Sequence, residues 1–144
     1  MKILVDELYT TLEQPFSIID GKVHHWKGVR PYLYAHNHPS GTFTIELISG
    51  ASSLTSVNFT ASDLYSGLST SDNFIHLYYR LLFPNVLPLK NGTYSLKLSA
   101  SGYSFSESSY LGWIREHEDI KFPTYLEPAD DSENPLTFEP WSFE

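Results

Sequence analysis

Apolar and polar side chains alternate with a period of two in segment after segment of this chain, and no stretch sustains a 3.6-residue apolar period over several turns. That rhythm restricts the chain to strands burying one face, because successive strand side chains point to opposite sides of a sheet. In Thr42–Leu47 the residues Phe43, Ile45 and Leu47 share one face, and Thr44 and Glu46 take the other. In Thr93–Ser99 the inward set is Tyr94, Leu96 and Leu98. Phe74–Phe83 is apolar on both faces and predicts a central strand covered from both sides. Weaker alternation predicts strands over Ile3–Thr10, Phe16–Asp20, Val29–His36, Leu54–Thr60, Gly102–Ser106 and Tyr110–Glu116.

Turn chemistry punctuates these runs at Asp20-Gly21, Pro39-Ser40-Gly41, Ser49-Gly50, Asn91-Gly92 and Ser101-Gly102. Many short strands with frequent turns predict an all-β fold: a single antiparallel β-sandwich, with a jelly roll as the expected topology. Only Ser62–Tyr65 reads as a helical turn, with Ser62 positioned to cap it. No repeat of about 20 to 50 residues is visible, which argues against a solenoid or propeller.

A chain of 144 residues suits one core, and 41% hydrophobic residues with ten Tyr, nine Phe and three Trp are ample to fill it. There is no cysteine, so disulfides, thiolate metal sites and Cys nucleophiles are all excluded. The opening residues reach Asp6 and Glu7 after three apolar ones, and no apolar run spans a bilayer. The expectation is a protein made in a cytoplasm without a signal peptide and not inserted in a membrane.

The acidity is concentrated at one end. Of 17 acids, six fall in residues 127–144, which hold no Lys or Arg, leaving eleven acids against nine bases before them. No cluster of Lys and Arg offers a phosphate-binding surface, so nucleic acid is not expected as a partner. Residues 1–126 therefore read as the sandwich domain and 127–144 as an extended acidic and aromatic C-terminal arm. Pro128, Pro135 and Pro140 interrupt regular structure in that arm, while Leu136, Phe138, Trp141 and Phe143 give it apolar groups to bury. Those four residues are the expected partner-binding set. The arm either lays them on a neighbouring chain or folds back over its own domain.

His36-Asn37-His38-Pro39-Ser40-Gly41 resembles the central motif of the RadC and JAB/MPN+ zinc peptidase-like family, in which two His and a downstream Asp are associated with zinc. In this sequence the family's Ser and Asp positions fall on Glu46 and Ser49. Two His without a third ligand hold zinc too weakly to generate hydroxide, and Asn, Pro, Ser and Gly are also the residues that build tight turns. The expectation is a turn and no metal or other cofactor, with His36 and His38 as a minor alternative pair of ligands. His36-x-His38 is also similar to the cupin ligand spacing, but the nearest acid, Glu46, lies beyond the turn. His24-His25-Trp26 would be the source of a further ligand. Glu116 and Glu118 share a strand face and read as a charged edge. No nucleophile elbow or phosphate-binding glycine pattern occurs, so no enzyme activity is expected.

Aromatic residues on a β-sandwich suit carbohydrate binding, and Trp26, Tyr32, Tyr34, Tyr110 and Trp113 are the candidates. From Pro31 to Asp119 the arrangement resembles jelly-roll domains of the galactose-binding type. The likeness lies in the strand Pro31–Tyr34, the Pro-Ser-Gly turn into Thr42–Leu47, and the hairpin and strand Leu89–Leu98. The segment Tyr110–Glu118 resembles the closing strand of small structural proteins of tailed-bacteriophage particles. This resemblance implies a virion component in head, neck or tail, with other virion proteins or a second copy of itself as partners. A glycan-binding, receptor-recognising domain is the alternative.

Overall fold

A computed structural model of the protein describes residues 3–66, 74–117, 124–130 and 136–138. The strands are β1 (Ile3–Glu7), β2 (Thr11–Ile18), β3 (His24–His36), β4 (Thr42–Ser49), β5 (Ser52–Thr60), β6 (Phe74–Tyr78), β7 (Leu81–Leu89), β8 (Gly92–Ser101), β9 (Tyr110–His117), β10 (Thr124–Pro128) and β11 (Leu136–Phe138). A short helix, α1 (Ala61–Tyr65), follows β5. Every pairing between strands is antiparallel. One sheet has four strands in the order β2-β8-β4-β5; the other has seven, β1-β9-β3-β10-β11, with β6 and β7 also on β3.

β3 is the spine of the larger sheet. Its first half pairs with β7 on one edge and β10 on the other, and its second half with β6 and β9. Only Tyr79 and Arg80 separate β6 from β7, and the Tyr79 amide donates to the Pro31 carbonyl at 3.0 Å, so the two run as one broken strand along β3. Counting them as one gives β1-β9-β3-β6/β7 facing β2-β8-β4-β5. This is the strand order of a jelly roll, to which β10 and β11 are added.

The alternation seen in the sequence supplies the core. Phe43, Ile45, Leu47, Phe59, Tyr94, Leu96 and Leu98 from the smaller sheet meet Val29, Leu33, Ala35, Ile75, Leu111 and Trp113 from the larger. A bulge at Lys27, where Trp26 and Gly28 oppose adjacent residues of β10, turns Trp26 inward as well. Gly28 is required there because β7 passes so close: a Cβ would lie 2.3 Å from the Leu81 carbonyl oxygen.

The structure corrects several expectations. Phe74–Phe83 is not a central strand; it spans β6, a break and the start of β7, and among the described residues pairs only with β3. Its second apolar face is left partly exposed at Phe74 and Leu82. Pro84 and Pro88 within β7 fit this edge position, where a missing amide breaks no ladder. Gly102–Ser106 forms a loop with one isolated bridge, Ser106 to Ser109. Thr60, not Ser62, caps α1: its hydroxyl accepts from the Asp63 amide at 3.3 Å, and the Asp63 carboxylate accepts from the Thr60 amide at 2.8 Å. The boundary expected at residue 126 falls inside β10, where Leu126, Glu127 and Pro128 are all buried. The arm's middle then adds β11 to the same sheet, Leu126 opposite Leu136 and Thr124 opposite Phe138.

Candidate functional site: an aromatic sheet face

The outward side of the seven-stranded sheet is built from residues two apart on β3 (Arg30, Tyr32, Tyr34, His36) and their cross-strand neighbours. Tyr78, His76 and Phe74 face Tyr32, Tyr34 and His36 from β6; Tyr110 faces His36 from β9; Tyr125 faces Arg30 from β10. These rings form two connected rows. In the first, centroids are separated by 4.3 Å from Tyr9 to Phe105, 5.4 Å from Phe105 to Tyr110, 5.8 Å from Tyr110 to Tyr34 and 6.1 Å from Tyr34 to Phe74. His36 lies beside Tyr110 at 5.5 Å. The ends of this row are open to solvent, Tyr9 at 60% and Phe74 at 52% exposure.

Loops place the outer members. The Tyr103 hydroxyl donates to the Leu8 carbonyl at 2.7 Å and accepts from the Leu111 amide at 3.2 Å. That pins the loop carrying Phe105 against β9. Ser109 ties the same loop to the turn after β3 by donating to the Asn37 carbonyl at 3.1 Å. The Tyr9 hydroxyl donates to Glu7 at 2.9 Å.

The second row runs from His76 through Tyr32 and Tyr78 to Tyr125, with the Arg30 guanidinium 5.9 Å from the Tyr125 centroid. It ends in an ion cluster. Glu127, 6% exposed, accepts from Arg30 and from Arg80, the latter at 2.9, 3.2 and 3.0 Å. Burial pulls the Glu127 carboxyl upward, but hydrogen bonds and charge from Arg80 and Arg30 outweigh it and hold the group below the usual carboxylate range. Burial, with smaller contributions from neighbouring phenols, pushes Tyr78 and Tyr110 up to about 12. Tyr78 and Tyr110 therefore stay neutral at physiological pH.

The predicted carbohydrate-binding set is divided by the fold. Tyr34 and Tyr110 lie half-buried on the outer face, and Tyr32 lies there under the Tyr78 ring. Trp26 at 3% and Trp113 at 0% exposure belong to the core, and the Trp113 indole donates to the Thr124 hydroxyl at 2.9 Å. Neither can stack on a ligand. Three rings of the first row were not singled out from the sequence. Phe74 is hidden there by the doubly apolar run that suggested a covered strand, and Tyr9 and Phe105 sit in loops where alternation gives no facing.

The His36–Gly41 segment is the turn from β3 to β4, with Asn37 and His38 at φ 55° and 50° and Gly41 at 108°. His36 packs by Tyr110 on the sheet face, whereas His38 stacks on Tyr65 of α1 at 3.9 Å. The two imidazoles thus serve different surfaces. Among the described residues no three His, Asp or Glu side chains converge as a ligand set. His24 instead bonds Asp20 at 2.6 Å. Of the expected partner-binding residues, Leu136 and Phe138 lie in β11, and Trp141 and Phe143 lie outside the described residues, as does Glu118. No helix among the described residues is long and apolar enough to cross a membrane.

Compared with protein-family models and with curated protein sequences, the chain matches none at a significant level.

Proposed function

We propose that the protein is a non-enzymatic structural or adaptor component of a tailed-bacteriophage particle that binds neighbouring particle proteins partly through its C-terminal residues. The observation that carries this reading is β11. It holds three residues, lies outermost in the seven-stranded sheet, and is followed in sequence by Pro140, Trp141 and Phe143. A short sheet edge continued by a proline- and aromatic-rich segment accepts a neighbour through main-chain hydrogen bonds and ring burial. The jelly-roll order lends support by analogy of architecture, since viral capsid domains use it.

The test is incorporation. Full-length protein should enter purified particles, while residues 1–138, which keep β10 and β11, should fold and stay in the soluble fraction. Equal incorporation of both, or of neither, sinks the proposal.

A second reading, recognition of a receptor glycan, is favoured by the aromatic face and by the use of the same architecture in lectins. Trp fluorescence is a poor probe of it here because Trp26 and Trp113 are buried. Chemical-shift changes of the Tyr and Phe rings on addition of glycans are the direct measurement.

A further inference from the structure

We propose that the row Tyr9, Phe105, Tyr110, Tyr34 and Phe74 is a platform for a neutral oligosaccharide. This rests on the glycan-recognition reading and names its site. The row is continuous, with no ring-to-ring step above 6.1 Å, and crosses the sheet from the loop after β1, over β9 and β3, to β6. Folding alone does not call for it: the smaller sheet's outer face is made of Thr44, Glu46, Ser95, Lys97 and Ser99.

The chemistry of the row selects its occupant. The Tyr9 end of the row is acidic: Glu7 is bonded to the Tyr9 hydroxyl and the Glu107 charge acts on the same phenol, whereas Arg30 and Arg80 bind Glu127 at the end of the other row. A phosphorylated, sulfated or uronate ligand laid along the first row would meet those carboxylates rather than the guanidiniums. An extended peptide is also a poor fit, because β3 is paired on both sides where the row crosses it at Tyr34 and offers no main-chain groups there for strand addition. A neutral sugar suits the row: its C–H faces lie on rings, and its hydroxyls meet the polar groups along the row. Those are the phenols of Tyr9, Tyr34 and Tyr110.

The full chain should be titrated by NMR with maltohexaose, cellohexaose and N-acetylated chitohexaose, and with heparin hexasaccharide as an anionic comparison. Phe74→Ala and Tyr9→Ala remove the two exposed end rings, and Ile19→Ala, an exposed apolar residue in the turn after β2, is the control. A neutral hexasaccharide should shift the row's resonances, with binding about tenfold weaker in either end variant and unchanged in the control. Binding that ignores Phe74 and Tyr9 overturns the site and leaves the glycan reading standing. Binding of the anionic sugar alone overturns the neutrality argument. No response to any of the four overturns site and glycan reading together.

Discussion

The two outward faces of this sandwich obey the same alternation and carry opposite chemistry. On the four-stranded sheet the outward positions are mostly hydroxylated or charged, Ile48 apart, with Lys97 between Glu13 and Glu46 as cross-strand neighbours. On the seven-stranded sheet they are Tyr32, Tyr34, Phe74, Tyr78, Tyr110 and Tyr125, ending in the Arg30–Glu127–Arg80 cluster. The first face shows what the fold needs from a solvated surface, which is little more than strand propensity and solubility. The second carries ring area beyond that need, which is why the proposed platform is placed on it.

The comparison breaks most readily in β9, which carries one ring on each side. Trp113→Ala should cost about 3–5 kcal/mol in urea unfolding, as deletion of a fully buried indole does. Tyr110→Ala should cost clearly less, and equal losses would mean that the outer ring is core in all but position. Gly28→Ala comes next. The new methyl meets the Leu81 carbonyl and should cost about 1–3 kcal/mol, read as a lower urea midpoint. A neutral result would show that β7 does not hold its bulged path along β3.

Glu127→Gln sharpens the contrast electrostatically. Removing the carboxylate should cost about 1–2 kcal/mol at neutral pH, discounted because both arginines are partly exposed. The folded pKa lies below the ordinary 4.5, so the stabilisation is complete above that value and disappears as pH falls through the lowered one. The stability gap between wild type and variant should accordingly close on acidification below pH 4.5. A gap that persists unchanged at low pH would assign the effect to packing. The smallest effect belongs to the other face: Lys97→Ser should change stability by under about 1 kcal/mol, since a solvated cross-strand charge contributes little.

How far the sequence reveals each region follows from how its side chains were disposed. Thr42–Leu47 and Thr93–Ser99 have one apolar and one polar face, so β4 and β8 were legible in both extent and orientation. Phe74–Phe83 is apolar on both sides, and alternation cannot distinguish a covered strand from an edge strand bearing exposed rings. The C-terminal residues misled in another way: Pro128 argued against regular structure, yet it closes β10 at the bulge, where its missing amide costs nothing.

Local patterning by itself determined the strands, the turns and a two-sheet architecture, because the strand period and turn conformations depend only on near neighbours. The odd spacing of Tyr110 and Trp113 puts them on opposite faces of one strand, so grouping both as sugar-binding candidates conflicted with the alternation itself, and Trp113 is the one that lies inward. Local patterning could not separate Trp26 from Tyr32 and Tyr34, which differ by even numbers and would share a face on an unbroken strand. The bulge at Lys27 inverts that parity, and it exists because β3 must pair with β7 and β10 at once. Which rings lie inward and which form the outer rows was therefore decided by pairing between distant segments.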